Sequence, residues 1–149
     1  MGKRGEGWFV LQLGLFAVIL LAPRVSFFPF PTWLRALGVP ILVAGAALGT
    51  AGILALGRSL SPFPKPLEGG QMVSTGVYGF VRHPIYAGLI LGTIGWGLLA
   101  QTWLGVVLAA ILFVFFDLKS RREEAWLVEK YPDYVEYRRR VKKLIPLVY

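Results

Sequence analysis

Apolar and polar residues alternate along this chain in long blocks, not in short periods. Apolar blocks cover residues 8–22, 34–56 and 85–116, and the last of these contains no charged side chain. Polar and charged residues collect between the second and third blocks and after residue 116. Because a helix that crosses a bilayer needs about 20 mostly apolar residues, the pattern predicts membrane-spanning helices joined by polar segments. It indicates an all-α integral membrane helical bundle.

The third apolar block is too long for one span. It has 32 residues, and a single helix of that size would measure about 48 Å against a hydrocarbon core of about 30 Å. Gln101-Thr102 is the only adjacent polar pair within it, so we predict a hairpin that turns there. The chain is then one domain, 1–149, with four transmembrane helices at about 8–24, 34–56, 84–100 and 103–119 and a cytosolic C-terminal helical tail, 120–149.

The first two spans each carry a second signal. Lys3 and Arg4 precede a short apolar run, as in a secretory signal peptide, but no small-residue cleavage motif follows, which favours an uncleaved helix. In the second span, Gly45 and Gly49 have the spacing that permits close contact between membrane helices. That spacing is also common by chance in a glycine-rich segment, and chance is the better interpretation.

Composition changes this picture only through the distribution of charge. The 149 residues are 56% hydrophobic, carry a net charge of +8 and include no cysteine, which disfavours a soluble enzyme and a disulfide scaffold. Four spans place both termini on one side, together with 14 of the 16 lysine and arginine residues. By the positive-inside rule both termini of this multi-pass protein are cytosolic. The basic balance therefore reflects topology, and we expect no nucleic-acid partner.

The long polar loop before the third span ends in Arg82-His83-Pro84, which includes the only histidine of the chain. Proline suits the first turn of a helix, and a helix N-terminus offers free N–H groups and partial positive charge to an anion. Tyr86 and Gly88 follow on the first turn. The alternative is that Arg82 extends to lipid phosphates while His83 only caps the helix.

Two adjacent carboxylates, Glu123 and Glu124, follow the fourth predicted span. They would suit an ammonium or sulfonium ligand. On spacing alone they would equally pair with Arg121 and Arg122, and that interpretation is the simpler one.

The end of the chain has a helical pattern. Tyr134, Tyr137 and Val141 recur at helical spacing among basic residues that include Arg138–Arg140. This pattern is typical of an amphipathic basic segment that lies on anionic lipid.

In this order the motifs resemble the isoprenylcysteine carboxyl methyltransferase family, within the wider group of membrane phospholipid methyltransferases. The resemblance covers roughly residues 69–146. It depends on Gly76-Val77-Tyr78, Arg82-His83-Pro84-x-Tyr86-x-Gly88, a membrane hairpin, Glu123-Glu124, Tyr131-Pro132-x-Tyr134-x-x-Tyr137-x-x-Arg140-Val141 and Leu144-Ile145-Pro146. The chain departs from the eukaryotic members in having fewer predicted spans and Tyr-Pro-Asp where they often have Phe-Gly.

The resemblance implies S-adenosylmethionine as methyl donor, bound at the cytosolic face, and it supplies the candidate site residues. The cofactor-binding candidates are Tyr78, Arg82, His83, Pro84, Tyr86, Gly88 and Glu124. Glu123 is a second candidate for the amino end of the cofactor. Apart from the resemblance, a base would help if the acceptor were an amine or a thiol, and Glu123 or a tyrosine would then be the candidate. Arg140 corresponds to an arginine placed near the substrate carboxylate in the eukaryotic enzymes. No residue cluster suggests a metal site.

The predicted function is therefore S-adenosylmethionine-dependent methyl transfer to a small lipophilic acceptor among membrane lipids. A carboxylate such as that of an isoprenylcysteine-type substrate fits best, because a carboxylate nucleophile needs positioning and no base. The same-class alternative is a phospholipid amine N-methyltransferase. A nicotinamide-dependent membrane reductase and a non-enzymatic membrane scaffold are the alternatives from other classes.

Overall fold

The fold is known from a computed structural model, which describes residue 2 and residues 4–21, 30–146 and 148–149. Within those residues the chain is helical and forms no strand. The α-helices are α1 (Glu6–Leu21), α2 (Arg35–Leu56), α3 (Pro84–Leu99), α4 (Trp103–Lys130) and α5 (Tyr134–Arg140). Short 3₁₀ turns precede α2, follow it, and occupy Gly76–Gly79 before α3. The all-α prediction is confirmed.

Two helical stretches of the described chain are long and apolar enough to cross a membrane, Thr32–Ser59 and Trp103–Lys130. α1 and α3 are apolar but have 16 residues each, which at about 1.5 Å per residue is about 24 Å, shorter than the hydrocarbon core. Two predicted spans thus pass the test of length and composition, and the count of four stays a prediction. Residues 22–24 of the first predicted span lie outside the described residues.

The predicted hairpin turn is confirmed. α3 and α4 are joined by three residues, and Gln101 has a φ of +54°, the left-handed conformation that reverses the chain. The hydroxyl of Thr102 accepts a hydrogen bond from the backbone N–H of Leu104 at 3.2 Å, so it caps α4 in the way that threonine commonly does. The single polar pair of the long apolar block therefore ends one helix and starts the next.

Glycines bring α2 and α3 into backbone contact. A Cβ atom on Gly88 would lie 2.6 Å from both the carbonyl oxygen of Gly45 and the amide nitrogen of Gly49. Farther along, a Cβ on Gly95 would lie 2.5 Å from the amide nitrogen of Leu42. Close approach of this kind depends on small residues at a membrane-helix interface. The chance interpretation of the Gly45 and Gly49 spacing is therefore wrong.

The fourth helix continues well past the predicted end of its span. α4 reaches Lys130, and its buried side chains form the centre of the apolar core. That core consists of Ile19, Ile90, Leu108, Leu112, Phe115, Phe116 and Leu144. The apolar run of α4 ends at Phe116, after which charged residues continue the same helix beyond the apolar segment. α4 thus connects the apolar bundle to the polar end of the molecule.

The end of the chain packs against the protein. Tyr134, Tyr137 and Leu144 are buried, and Lys143 Nζ lies 2.6 Å from Asp117 Oδ1. The hydroxyl of Tyr149 donates to the same Asp117 oxygen at 2.7 Å. The helix predicted after residue 132 is confirmed, and its tyrosines are buried against the rest of the protein. Contact of its exposed basic residues with anionic lipid stays a prediction.

Candidate active site

The Arg82-His83 segment is held to the chain end by backbone hydrogen bonds. Arg82 N–H donates to the carbonyl of Lys142 at 2.8 Å, and His83 N–H donates to that of Lys143 at 3.1 Å. The hydroxyl of Tyr137 donates to the carbonyl of Tyr78 at 2.6 Å. These bonds fix the start of α3 beside the tail, which brings together residues that are about 60 positions apart in sequence.

The side chains of Arg82, His83 and Glu124 form one ion-pair cluster, called here the Glu124 cluster. Arg82 Nε donates to Glu124 Oε1 at 2.8 Å, and His83 Nε2 lies 3.0 Å from the same oxygen. The Arg82 guanidinium also donates to the carbonyls of Arg138, at 3.0 Å, and of Val141. A buried carboxylate is favourable only when its oxygens have such partners. The cluster therefore connects the start of α3 to α4 and to the tail.

Glu124 remains ionised in this cluster. It lies on α4 about two turns beyond the apolar run. Burial opposes ionisation of its carboxyl, but hydrogen bonds from His83 and Arg82 outweigh burial and lower the pKa of Glu124 to about 2. Its charge is therefore present at neutral pH and is neutralised within the protein.

A cavity of about 380 Å³ opens next to the Glu124 cluster, within the usual range for small-ligand sites. It lies between the polar ends of α2, α3 and α4, the loop over residues 59–73 and the tyrosines of the tail. Five of the residues singled out from the sequence line it: Tyr78, Arg82, His83, Tyr86 and Glu123.

Glu123 is the carboxylate that faces this cavity. The hydroxyl of Tyr86 donates to Glu123 Oε2 at 2.7 Å, and His83 Nδ1 lies 4.0 Å from the same oxygen. Tyr86 is held by parallel stacking, with ring centroids 5.3 Å from His83 and 4.4 Å from Phe116. The Glu123 side chain is 24% exposed, so part of its negative charge is open to a ligand. The simpler interpretation, in which both glutamates pair with Arg121 and Arg122, is wrong.

Lys119 also lines the cavity and was missed as a site residue. It is 2% exposed, and its Nζ donates to Gln12 Oε1 at 2.6 Å and weakly to the carbonyl of Pro62 at 3.5 Å. The ammonium lies 5.2 Å from the ring centroid of Tyr86. Among the described ion pairs none includes Lys119. The only available signal was a glutamine in the first apolar segment.

Four predicted site residues lie outside the cavity lining. Glu124 belongs to its cluster, and Gly88 packs against α2. Pro84 is also buried beside α2, where a Cβ on Gly52 would come within 3.0 Å of it. The Arg140 side chain is 72% exposed and pairs with Glu136 at 3.6 Å. Contact of these four residues with cofactor or substrate stays a prediction.

Three tyrosines of the tail complete the wall opposite the loop, namely Tyr131, Tyr134 and Tyr137. They belong to the motif set of the resemblance but were not named as site residues. Tyr131 donates to the carbonyl of Gly70 at 2.5 Å, which ties the loop to the tail. Burial raises the pKa of Tyr78 and Tyr134, and it raises the pKa of Tyr137 to about 12. These phenols therefore stay protonated at neutral pH and can donate hydrogen bonds, but they are poor bases.

A bundle of apolar helices, two of them long enough to cross a membrane, with an open cavity at its polar end indicates a helical membrane protein with a small-molecule site. Residues 33–134 match the family model described as phospholipid methyltransferase, and the chain belongs to that family. Family membership accordingly assigns it to the membrane methyltransferases. No group of acidic, histidine or cysteine side chains suited to a metal ion occurs in the part of the chain that the structure describes.

Individual relatives agree with this assignment. The protein-S-isoprenylcysteine O-methyltransferase of Schizosaccharomyces pombe is 29% identical, over 95% of this chain and 67% of its own length. That of Saccharomyces cerevisiae is 33% identical, over 75% of this chain and 48% of its own length. Both names specify an isoprenylcysteine that is part of a protein, so the expected small-molecule acceptor is too narrow for these relatives.

The fold itself is similar to a solved structure, the eukaryotic intramembrane Ras methyltransferase known as isoprenylcysteine carboxyl methyltransferase. The TM-score is 0.71 at 22% identity, and the match covers 97% of this chain and 50% of that one. This chain spans about half the length of the solved protein and of the S. cerevisiae relative.

Proposed function

We propose that this protein transfers a methyl group from S-adenosylmethionine to the carboxylate of an isoprenylcysteine-type acceptor at the cytosolic face of the membrane. The observation that carries this proposal is the cavity beside the Glu124 cluster, where Glu123 presents a partly exposed carboxylate between Tyr86 and His83. The names of the relatives support the choice of acceptor, including an isoprenylcysteine that is part of a protein.

The residues around the cavity suit the proposed methyl donor. S-adenosylmethionine supplies an electrophilic methyl group on a positively charged sulfur and also carries an amino group. Glu123 offers negative charge to these cationic groups, and Tyr78 and His83 line the same space. Glu124 acts one step behind the cavity, because it holds Arg82 and His83 in position. Gly88 acts through the contact of α3 with α2.

The chemistry needs orientation more than proton transfer. An oxygen of the acceptor carboxylate attacks the methyl carbon, a C–O bond forms, and the S–CH₃ bond breaks with its electron pair left on sulfur. The products are a methyl ester and S-adenosylhomocysteine, and no proton is removed from the acceptor. Protonated tyrosines around the site fit a reaction of this kind, in which alignment supplies most of the acceleration.

The proposed topology retains four spans with both termini in the cytosol. Its support is the distribution of lysine and arginine residues together with the exposed apolar side chains of α1 and α2. Leu20, Leu21 and Leu54 are among the most exposed of these, and lipid would cover them. In this topology the cavity opens at the cytosolic level.

The proposal is tested first by binding. We expect purified full-length protein in detergent to bind S-adenosylhomocysteine at micromolar concentrations in a calorimetric titration. The matched variants are Glu123→Gln and Glu129→Gln, which alter a cavity carboxylate and an exposed one on the same helix. Absence of binding by the unaltered protein would overturn the proposed function.

The acceptor is tested with a radiolabelled methyl donor. Label transferred to an S-farnesylcysteine peptide should be released by mild base, as expected of a methyl ester. The family description favours one second candidate, methylation of a phospholipid amine. Base-stable label in phosphatidylethanolamine vesicles, with none in the peptide, would replace the proposed acceptor by that one.

A further inference from the structure

We propose that Lys119, held by Gln12, is the anion subsite that binds the acceptor carboxylate. This inference rests on the proposed function and specifies a residue that neither the family motifs nor the Arg-His-Pro segment indicated. It concerns the wall of the cavity formed by α1 and α4.

The first step is the burial of a charged group that has no ion-pair partner within 4.0 Å. Lys119 is 2% exposed, and the partners recorded for its Nζ are neutral: the Gln12 amide oxygen, the Pro62 carbonyl and the Tyr86 ring. A buried ammonium is costly unless an anion neutralises it. Lys143 is also buried, but it has the Asp117 carboxylate at 2.6 Å. The unpaired charge of Lys119 would therefore be stabilised by an anionic ligand in the cavity.

The second step is the position of the two charges that face the cavity. Lys119 and Glu123 are four residues apart on α4, a spacing at which opposite charges often pair, but they form no ion pair within 4.0 Å. Tyr86 lies between them, since its hydroxyl bonds to Glu123 and its ring lies beside the Lys119 ammonium. A carboxylate at Lys119 and a cationic methyl donor at Glu123 would thus meet beside the same ring.

The arrangement also discriminates among acceptors. A cationic amine would be repelled by the Lys119 ammonium, whereas a carboxylate would be attracted by it. Gln12 fixes Nζ through its amide oxygen without neutralising the charge. Arg140 is less suited to this role, because its guanidinium is 72% exposed and already pairs with Glu136.

The test compares two ligands of nearly the same shape, the anionic N-acetyl-S-farnesylcysteine and its neutral carboxamide. Binding of each to full-length protein saturated with S-adenosylhomocysteine is measured by calorimetry. The unaltered protein should prefer the carboxylate by about ten- to hundredfold, the usual effect of a hydrogen bond to a charged group. Lys119→Met should abolish that preference and leave S-adenosylhomocysteine affinity within about twofold. Lys65→Met, at an exposed lysine, is the control for the same substitution and should retain the preference.

A second variant keeps the test decisive if Lys119→Met does not fold. Gln12→Glu preserves size and gives Lys119 a permanent carboxylate partner, so it should abolish the ligand preference while the protein still binds S-adenosylhomocysteine. An unchanged preference in either folded variant would overturn the role of Lys119. Failure of the unaltered protein to bind S-adenosylhomocysteine would instead overturn the proposed function. Binding of S-adenosylhomocysteine without any carboxylate preference would overturn the Lys119 subsite alone.

Discussion

Glu124 of the cluster and two residues of the cavity wall, Lys119 and Glu123, lie close together on α4. The charge of Glu124 is paired within the protein, whereas Lys119 and Glu123 have no close counterion. In the cluster, Glu124 has a guanidinium and an imidazole on one oxygen, and its pKa is lowered to about 2. In the cavity wall, Lys119 has only neutral partners, and Glu123 accepts its closest hydrogen bond from a phenol. Charges that are paired inside the protein stabilise the fold, whereas buried charges without counterions are available to a ligand.

The largest effect should come from removing the shared anion of the cluster. Glu124→Gln removes the counterion of the Arg82 guanidinium, whose side chain is only 11% exposed, and we expect a loss of about 3–5 kcal/mol in the free energy of unfolding. Chemical denaturation in detergent measures it. Glu136→Gln is the matched control. Because Glu136 is exposed, this substitution should lower the free energy of unfolding by less than about 0.5 kcal/mol. Equal losses in the two variants would remove the distinction between cluster and surface.

Glu123→Gln, the same substitution at the preceding residue, should weaken ligand binding and leave the stability of the protein nearly unchanged. Glu123→Gln removes a carboxylate from the cavity wall but retains an acceptor for the Tyr86 hydroxyl. We expect unfolding close to that of the unaltered protein and S-adenosylhomocysteine affinity weakened by about ten- to hundredfold. If Glu123→Gln destabilised the protein as much as Glu124→Gln without weakening binding, Glu123 would stabilise the fold and would not bind the ligand.

Lowering the pH should protonate Glu124 and so reduce the stability of the unaltered protein towards that of Glu124→Gln. The pKa of Glu124 is about 2 in the folded protein against an ordinary value of 4.5, so its ionised form stabilises the fold above pH 4.5. That contribution is lost as pH falls from about 4.5 towards 2. The stability difference between unaltered protein and Glu124→Gln should therefore be constant from pH 7 to 5 and shrink below. A difference that shrank near neutral pH would contradict this sign.

The smallest effect is expected at Arg140. Its guanidinium is exposed and paired with Glu136, so Arg140→Met should change the free energy of unfolding by less than about 0.5 kcal/mol. The preference of Arg140→Met for N-acetyl-S-farnesylcysteine over the carboxamide should stay within about twofold of the preference of the unaltered protein. A loss of that preference in Arg140→Met, with none in Lys119→Met, would return the acceptor site to the family-derived arginine.

Much of the architecture could be predicted because it follows from local patterns. The Gln101-Thr102 turn and the helix starting at Pro84 are set by nearby residues. Four cavity residues around the Arg-His-Pro segment were likewise found from motif and resemblance, namely Tyr78, Arg82, His83 and Tyr86. Gly88 was named from the resemblance as a cofactor-binding candidate, and the structure shows that it lies against the backbone of α2. The sequence shows that a glycine has no side chain, but it gives no information about whether a ligand or another helix fills that space.

The sequence by itself determined the apolar segments, the turn between the last two of them, the segregation of basic residues and the motif set that marks a membrane methyltransferase. Only the tertiary structure decided which of two adjacent glutamates is paired and which faces the cavity, because neighbouring positions on a helix point in directions about 100° apart. It also decided that Lys119 meets Gln12, a residue 107 positions away. Contacts over such separations depend on how the helices pack, and packing is what converts one of many basic residues into a buried, unpaired charge.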